Sequence, residues 1–408
     1  MIIKLSLKKI RRLVFIIAFL LIAGFVGYRI GVSRSPNSRP VQGTDLSLFW
    51  LVWRRLENKY FNQKALKPKK MIEGAISGMV TSLGDPYTVF LPPADNKINK
   101  EDLTGEFGGV GIQLGYKNHT LAVISPLKKT PAEEAGVQAG DLILKIKDEG
   151  KGIDQSTEGI SLPEAVKLIR GKEETKVILT LAREGVGRPI DASITRRRIA
   201  IPALETRWIE RNGKRFAYIH LFQFSERMDK EWNEWAKEMV KSEKNGDGLD
   251  GLVLDLRNNP GGYLQGAVFV AGEFLPSGKT VVWQETYNGK RSKFIVDRSG
   301  RLLDIPLVVL INEGSASAAE ILAGALRDHQ RAKIIGLKSF GKGTIQEPEE
   351  LPGKAGLHIT IARWLLPNGE SINKEGIKPD VEVKEATRAA KIDKDLILEK
   401  GIDILINF

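Results

Sequence analysis

The spacing of hydrophobic residues changes along the chain, and each spacing predicts a different kind of element. After residue 45, apolar side chains recur at three- and four-residue steps, which predicts an amphipathic helix. They are Leu46, Phe49, Trp53, Leu56 and Tyr60. A second helix is predicted over 70–82, before the Gly84-Asp85-Pro86 turn. The pair is interpreted as a two-helix packing element, with a dimerisation or docking surface as an equal alternative.

Residues 105–185 show strand-like alternation instead. A glycine-rich loop, Gly108 to Ile112, opens onto alternating apolar segments, and a turn then leads into the strand Leu142–Ile146. A short amphipathic helix over 162–170 has proline near its start, a position that proline favours. These features predict a small β-rich module.

From about residue 190 to 384, short apolar runs of strand length alternate with helical patterns. Strands are predicted at 216–222, 252–256, 306–311 and 333–337, and helices at 232–240 and 316–327. Such alternation predicts an α/β layer with at least partly parallel strands.

Charge is concentrated at the N-terminus. Residues 1–44 hold eight basic and no acidic residues, which leaves 54 basic and 50 acidic residues in the rest of the chain. The net charge of +12 therefore does not indicate nucleic-acid binding. Five basic residues precede the uncharged apolar run 13–28. That pattern predicts a signal-anchor helix with a cytoplasmic N-terminus and an exported main part, and a cleaved export signal is the alternative.

The residue types that are absent or scattered exclude several kinds of chemistry. Cysteine is absent, which excludes disulfides, thiol catalysis and cysteine-based metal sites. The four histidines show no metal-ligand spacing. We therefore expect neither a metal nor an organic cofactor.

A candidate nucleophile lies where the predicted strand 306–311 meets the next helix. Ser317 stands at this junction, where unpaired helix amides favour a developing negative charge. Ser315 is a rival on the same argument. Ser317-x-x-Glu320 is also a capping box, which needs no catalysis.

A serine hydroxyl needs a base, and Lys342 is the candidate. It lies between Gly341 and Gly343, just after a predicted strand. Burial can lower a lysine pKa by as much as roughly 3–5, which makes a neutral amine available. An ordinary surface lysine in a glycine turn is the alternative. Ser339 stands three residues before Lys342, as in penicillin-binding enzymes, but the companion motifs of that family are missing.

A third element is the run Asp255 to Gly262, with the sequence DLRNNPGG, in which an apolar strand enters a turn that ends in two glycines. By itself this pattern describes a strand end and a turn. Glycine amides there could also complete an oxyanion hole with the amide of Ala318.

Taken in order, these motifs resemble the carboxyl-terminal processing proteases, serine peptidase family S41. The resemblance runs from about Asp45 to Val383 and includes four further short motifs. They are LGDPYT at 83–88, GGVGI at 108–112, AGD at 139–141 and GIKPD at 376–380. The DLRNNPGG run and the Ser-Ala-Ser-Ala segment are the most specific in combination.

The resemblance implies roles for individual residues. Ser317 takes the position of the nucleophile, Lys342 that of the general base, and Gln346 that of a glutamine that orients the lysine. The oxyanion donors fall on the Ala318 amide and on one of Gly261 and Gly262. Asp328 matches an acidic position that supports the site in some members.

The 105–185 module resembles a PDZ domain. By resemblance its Gly109-Val110-Gly111-Ile112 loop binds a substrate's C-terminal carboxylate while the peptide adds to a strand edge. The expected partners are protein substrates with unstructured C-terminal tails, an adaptor or regulator, a second copy in a homodimer and, through the N-terminal helix, the membrane.

The expected fold is thus an α/β protease core with crotonase-like βαβ layers, an inserted PDZ domain, an N-terminal helical segment and a single transmembrane helix. The predicted divisions are a cytoplasmic tail and anchor at 1–30, a linker at 31–44, the helical region at 45–95, the PDZ domain at 96–187, the protease core at 188–384 and its C-terminal extension at 385–408. The expected location is the bacterial cytoplasmic membrane with the protease domain on the extracytoplasmic side.

Two other functions compete with the protease hypothesis. A silent PDZ scaffold would bind tails without cleaving them. A crotonase-type enzyme acting on acyl-thioesters would use glycine-rich oxyanion elements, but it would need neither the PDZ module nor Lys342.

Overall fold

The computed structural model describes residues 44–244, 248–383 and 395–408. The chain divides into two compact units, Met1–Ile72 and Glu73–Phe408, and residues 44–72 are the described part of the first.

Helices dominate the described part of the first unit. It contains helix α1 (Ser47–Lys59), a short 3-10 turn (Gln63–Ala65) and the beginning of α2 (Pro68–Thr81). Both predicted helices are confirmed. No residue of α1 is buried in the described part of the chain, and Leu48, Trp50 and Val52 are exposed. The apolar period therefore predicted the helix correctly without showing what its apolar face contacts.

The second unit continues with a small β-rich domain. Its elements up to residue 200 are β1 (Val89–Leu91), α3 (Pro93–Thr104), β2 (Glu106–Gly109), β3 (Ile112–Lys117), β4 (Thr120–Pro126), α4 (Pro131–Glu134), β5 (Leu142–Asp148), β6 (Ile153–Ser156), α5 (Leu162–Ile169), β7 (Lys176–Ala182), β8 (Ile190–Thr195) and β9 (Arg197–Ala200). Strands β3 to β8 form a six-stranded antiparallel sheet in the order β3-β4-β5-β7-β8, with β6 paired to β5.

We call the part from β3 to β8 the β domain. Its core is made of alternating inward residues such as Val177, Leu179 and Leu181. Helix α5 begins in a capping box: Glu164 N–H donates to Ser161 Oγ at 3.4 Å, and Ser161 N–H donates to Glu164 Oε2 at 3.3 Å. Strand β3 lies at the end of the sheet order, so one of its edges is not paired within this sheet.

Beyond residue 200 strands and helices alternate, as predicted. The elements are β10 (Leu204–Arg211), β11 (Lys214–Leu221), α6 (Met228–Lys244), β12 (Gly251–Asp255), α7 (Leu264–Phe274), β13 (Thr280–Thr286), β14 (Arg291–Ile295), β15 (Leu307–Ile311), α8 (Ala318–Asp328), β16 (Lys333–Gly336), β17 (Thr344–Glu350), β18 (Gly356–Leu365), β19 (Val381–Glu382) and α9 (Leu396–Ile406).

A six-stranded sheet in the order β10-β11-β12-β15-β16-β19 forms the centre of this region, and its strands from β11 to β19 are parallel. Successive side chains of a strand point to opposite faces. Leu252 and Leu254 accordingly join the large core that includes residues of α6, α7 and α8, whereas Val253 joins the core that includes α9. The predicted α/β layers are confirmed.

A second, five-stranded sheet consists of β1, β18, β13, β14 and β17. Strand β18 pairs antiparallel with β1, β13 and β17. The short strand that precedes the β domain is thereby hydrogen-bonded to β18, which follows Lys342 in the sequence.

The predicted transmembrane helix is corrected by the structure. Within the described ranges, no helix combines the length and the apolar character that a membrane crossing requires. A span needs about 20 apolar residues, whereas α6, the longest described helix, has 17 and carries several charges. The single transmembrane helix is therefore wrong for the fold described here, and the membrane location inferred from it falls with it. The segment 1–30, on which that prediction was based, lies outside the described residues.

Candidate active site

Ser317 lies at the end of the loop between β15 and α8, at the position predicted for the nucleophile. Its backbone is in an unusual conformation, with φ 54° and ψ −115°. A non-glycine residue with positive φ is strained and persists only where the surroundings impose it. The residue is half-buried, and Ala318 follows as the first residue of α8. An amide at that position has no acceptor within its own helix.

The rival nucleophile Ser315 is fully buried, and its hydroxyl has partners on both sides. Ser315 Oγ donates to Leu256 O at 2.8 Å and accepts the Asn312 N–H at 3.0 Å. These bonds join the serine loop to the end of β12. Ser315 is therefore a structural residue of the loop.

The DLRNNPGG turn packs directly against Ser317. The Ala316 N–H donates to Asn259 O at 2.9 Å, and the Gly261 N–H donates to Asn259 Oδ1 at 2.9 Å. A Cβ on Gly261 would lie 2.7 Å from Ser317 Cβ and 3.0 Å from the Ala318 nitrogen. Only glycine allows this approach.

Gly262 differs from its neighbour in how its amide is used. It forms an isolated parallel bridge with Phe224, made by the Phe224 N–H donating to Gly261 O and the Tyr263 N–H donating to Phe224 O, both at 2.9 Å. In such a bridge the amide of the central residue takes no part. The Gly262 N–H therefore faces away from Phe224.

Glu320 connects the serine turn with the lysine loop, a role that was not predicted. Its side chain is 1% exposed. Oε2 accepts the backbone N–H groups of Ser317 at 2.8 Å and Lys342 at 3.0 Å, and Oε1 accepts Ser339 Oγ–H at 2.6 Å and Gly341 N–H at 2.7 Å. Burial raises the pKa of this carboxyl, although all four donors act in the opposite direction. The predicted capping contact exists, and the same carboxylate also holds the lysine loop.

Lys342 is half-buried, and its Nζ lies 5.0 Å from the centre of the Tyr87 ring. Burial lowers the pKa of the amine, while the negative charges of Glu320 and Asp85 only partly oppose that effect. In the described part of the chain, no hydrogen bond joins the Lys342 amine to the Ser317 hydroxyl. The surroundings favour a neutral amine, as a general base requires.

Two other predicted residues have different surroundings from those expected. Gln346 lies on β17, and its Nε2 donates to Thr344 Oγ1 at 2.9 Å and to Thr360 Oγ1 at 3.1 Å, while no hydrogen bond among the described residues joins its side chain to the Lys342 amine. Asp328 lies at the other end of α8 from Ser317, about 15 Å along the helix axis. It accepts hydrogen bonds from the Arg327 guanidinium. The structure therefore does not bring Asp328 to the nucleophile.

The Gly109 to Ile112 loop lies in the β-rich region, at the start of edge strand β3. The Val110 carbonyl accepts the Ala132 N–H and the Gly111 carbonyl accepts the Leu127 N–H, both at 2.9 Å. Gly111 has φ +79°, and a Cβ there would clash with Thr130 at 2.4 Å. The carbonyls of Val110 and Gly111 are thus held by the domain itself.

Sequence reasoning also missed a charged cluster at the end of β12, where the DLRNNPGG run begins. Asp255 is fully buried at the end of β12 and pairs with Arg257, whose guanidinium also binds Asp395 beside α9. Tyr218 donates its hydroxyl hydrogen bond to Asp255 at 2.8 Å. The alternating Asp and Arg of the DLR motif are the signal that could have indicated this pair.

An α/β core with a strained serine at a strand–helix junction, joined to a separate β domain, defines a serine hydrolase with an appended binding domain. Comparison with known proteins supports this class. The model of peptidase family S41 matches residues 215–383, that of the activating protease CtpB N-terminal domain matches 33–94, and that of the PDZ domain matches 123–183.

Similar proteins include the carboxy-terminal processing protease CtpA of Bacillus subtilis (strain 168), 37% identical over 334 residues, or 81% of this chain and 68% of the relative. The carboxy-terminal-processing protease of Bartonella bacilliformis is 37% identical over 382 residues, or 92% of this chain and 83% of the relative. Among solved structures, a photosystem II D1 C-terminal processing protease has a TM-score of 0.51 at 29% identity, covering 83% of this chain and 92% of that one.

The chain belongs to peptidase family S41, the carboxy-terminal processing serine proteases. It is therefore a serine-type enzyme that hydrolyses peptide bonds. A PDZ domain binds peptide tails as an added strand.

Proposed function

We propose that this protease cleaves proteins near their C-terminus with Ser317 as nucleophile and Lys342 as general base. The observation that carries the proposal is the Glu320 carboxylate, which accepts the backbone amides of both residues on one oxygen. A single buried group thus positions the serine turn and the lysine loop together. Such preorganisation supports a catalytic pair over two unrelated surface residues.

In the proposed mechanism, the neutral Lys342 amine takes the Ser317 hydroxyl proton as Oγ attacks the peptide carbonyl. Lys342 then gives that proton to the departing amine, which leaves an acyl-enzyme on Ser317. Water, activated by the same amine, hydrolyses the ester and releases the shortened protein.

The oxyanion is assigned to two backbone amides. One is that of Ala318, at the start of α8. The other is that of Gly262, because the Gly261 N–H already donates to Asn259 Oδ1 at 2.9 Å. In this assignment Gly261 provides the close approach, and Gly262 provides the donor.

The PDZ domain is assigned the capture of the substrate tail. Its edge strand β3 lies next to the Gly109 to Ile112 loop, so a peptide that adds to β3 would have its terminal carboxylate beside the loop amides. Gln346 is assigned the orientation of Lys342. Its Nε2 donates to Thr344 and Thr360 in this structure, which leaves Oε1 available to accept a hydrogen bond from the Lys342 amine.

The test is cleavage of a folded reporter protein with an unstructured apolar tail. We expect no cleavage by Ser317→Ala or Lys342→Ala. Lys338→Ala is the matched control, because Lys338 is an exposed lysine of the same loop, and it should cleave normally. Cleavage by Lys342→Ala at the wild-type rate would refute the catalytic pair.

Tail capture is tested separately by replacing the reporter's terminal carboxylate with a carboxamide. We expect KM to rise with little change in the rate at saturation, because the cleavage site itself is unchanged. Equal KM values for the acid and the amide would refute recognition of the free C-terminus. Tail binding without cleavage by the wild-type protein would instead favour the scaffold function, and turnover of an acyl-thioester would favour the crotonase-type function.

A further inference from the structure

We propose that Tyr87 is a positioning residue of the active site, whose ring covers the Lys342 amine and keeps water from it. This inference rests on the proposed role of Lys342 as the general base. The ring is half-buried, and its centre lies 5.0 Å from Lys342 Nζ. The two residues are far apart in sequence, so the contact is made only by the fold.

The turn that carries Tyr87 is held rigidly by Asp85. Asp85 Oδ1 accepts the Tyr87 N–H at 3.0 Å, and Oδ2 accepts Thr88 Oγ1–H at 2.7 Å. Burial raises the pKa of Asp85, but hydrogen bonds from Thr360, Thr88 and the turn's own backbone outweigh burial and lower it. The carboxylate therefore stays ionised and keeps the turn in shape at neutral pH.

The same turn is fastened to the strand next to the catalytic loop. The Thr360 N–H on β18 donates to Thr88 Oγ1 at 3.0 Å. Val89, the residue after Thr88, pairs with His358 of the same strand β18. Thr360 also accepts the Gln346 side chain at 3.1 Å. One residue of β18 thus holds both the Tyr87 turn and the glutamine expected to orient Lys342.

Ionisable groups on three elements influence the Lys342 amine or are influenced by it: α8, the Tyr87 turn and β18. Glu320 on α8 and Asp85 on the Tyr87 turn both favour the protonated amine, but burial outweighs them and the pKa is lowered. The pKa of His358 on β18 is lowered by burial and by the Lys342 charge. The pKa of the Tyr87 hydroxyl is raised, first by burial. Burial is therefore the largest influence on the pKa of Lys342, and the Tyr87 ring lies over the amine.

An aromatic ring can act on an amine in two opposite ways. Its face attracts a cation, which would raise the lysine pKa, and its bulk excludes water, which lowers that pKa. Burial lowers the pKa of Lys342, and the Tyr87 ring is one of the groups close to the amine, so we expect exclusion of water to be the larger effect of the ring. Removal of the ring should hydrate the amine and move its pKa towards the ordinary value.

The experiment measures kcat/KM against pH for Tyr87→Ala and Tyr87→Phe. Tyr87→Ala should raise the midpoint of the acid limb by about one pH unit. Its kcat/KM on that limb should then be about tenfold lower than that of the wild type. At alkaline pH the two proteins should have equal kcat/KM. Tyr87→Phe keeps the ring and should keep the midpoint. The matched control is Tyr287→Ala, since Tyr287 is 97% exposed. Thr88→Val loosens the turn without removing the ring and should shift the midpoint in the same direction by less.

Several results would overturn the proposal. An equal loss in Tyr87→Ala at every pH would show a merely structural role, and a downward shift would show that attraction of the cation dominates. Equal shifts in Tyr87→Phe and Tyr87→Ala would assign the effect to the hydroxyl. If Lys342→Ala is inactive and Tyr87→Ala has the wild-type profile, only this inference fails. If Lys342→Ala is active, the proposed function fails, and this inference fails with it.

Discussion

The Lys342 backbone amide donates a 3.0 Å hydrogen bond to Glu320 Oε2, the oxygen that also accepts the Ser317 amide at 2.8 Å. The contact is made by the backbone of Lys342, and no described hydrogen bond joins its amine to this carboxylate. Glu320 can therefore position the lysine loop while the amine is left free to lose its proton. A direct ion pair would instead stabilise the protonated form.

Glu320→Gln should impair both folding and catalysis. The carboxylate accepts four hydrogen bonds, whereas an amide has one acceptor oxygen and places its NH2 group against some of the donors. We expect a loss of about 2–4 kcal/mol in unfolding free energy and a decrease in kcat of about 100-fold. Denaturant unfolding and single-turnover cleavage measure the two effects.

The matched control for Glu320→Gln is Glu313→Gln, in the exposed part of the same loop. This variant should resemble the wild type in both measurements. A wild-type kcat in Glu320→Gln would contradict the positioning role of the carboxylate.

Gly261→Ala should lower kcat strongly, because Gly261 lies so close to the nucleophile. The added Cβ would lie 2.7 Å from Ser317 Cβ and 2.8 Å from Ala316 O, so the serine turn must move. Movement of that turn also displaces the Ala318 amide assigned to the oxyanion; loss of an oxyanion donor typically lowers kcat by about 10²–10³-fold, and we expect a decrease of that order. Steady-state cleavage of the tailed reporter measures it.

Gly278→Ala separates this crowding from backbone strain. Gly278 also has positive φ, +85° against +99° for Gly261, but a Cβ there would have no neighbour within 4 Å. It should lose some stability and keep its kcat. Equal kcat values for the two variants would contradict the crowding argument.

Lys342→Met should stabilise the protein while it removes activity. Since the pKa of Lys342 is lowered in the folded state, the unfolded chain binds more protons between that pKa and the ordinary 10.5. Wild-type stability is therefore lost as pH falls from 10.5 through the folded pKa. The gain from Lys342→Met should be largest below that window, about 2 °C in Tm, and should vanish above pH 10.5.

Calorimetric scans at several pH values test this expectation. Lys338→Met, at the exposed lysine of the same loop, should give no pH-dependent difference in Tm. A fall in Tm for Lys342→Met near neutral pH would show that the amine makes a net favourable contribution to folding.

Much of the fold follows from local patterns. The apolar runs at 252–256 and 306–311 correspond to β12 and β15, and the helical pattern at 316–327 corresponds to α8. Strand and helix periods are set by neighbouring residues, so a single sequence carries them. The α1 pattern was also correct, but period alone does not show what an apolar face contacts.

The site was less predictable because its decisive contacts are long-range. Ser315 and Ser317 are equivalent by spacing; the resemblance assigned the nucleophile to Ser317, and the burial and bonds of Ser315 are what distinguish the two physically. The second role of Glu320 depends on a loop about 20 residues further on, which no helix pattern contains. Asp328 was assigned by resemblance, but an 11-residue helix separates it from the nucleophile.

The stability of the β domain should depend on one buried ion pair. Arg196 is fully buried, and its guanidinium lies 2.7 Å from Asp148, which is 2% exposed. Arg196 also donates to the carbonyls of Ile169 at 2.7 Å and Leu168 at 3.2 Å, at the end of α5. Arg196→Met would leave the buried Asp148 with only Lys151, whose Nζ lies 3.7 Å away, as a charged partner, and a broken buried pair typically loses about 3–5 kcal/mol.

Hydrogen exchange of the full chain localises this loss. Exchange should accelerate in β5 and β7 and stay unchanged in β12 and β15, because the hydrogen bonds and the ion pair of Arg196 among the described residues all lie in the β-rich region. Arg188→Met, at an exposed arginine of the same domain, is the matched control.

Burial raises the pKa of Asp148, but Arg196 and Lys151 outweigh burial and lower it. The contribution of the pair is therefore present above the ordinary carboxyl pKa of 3.8 and lost as pH falls through the folded value. The difference between Arg196→Met and wild type should shrink in acid, and a constant difference across that range would contradict the ion-pair explanation.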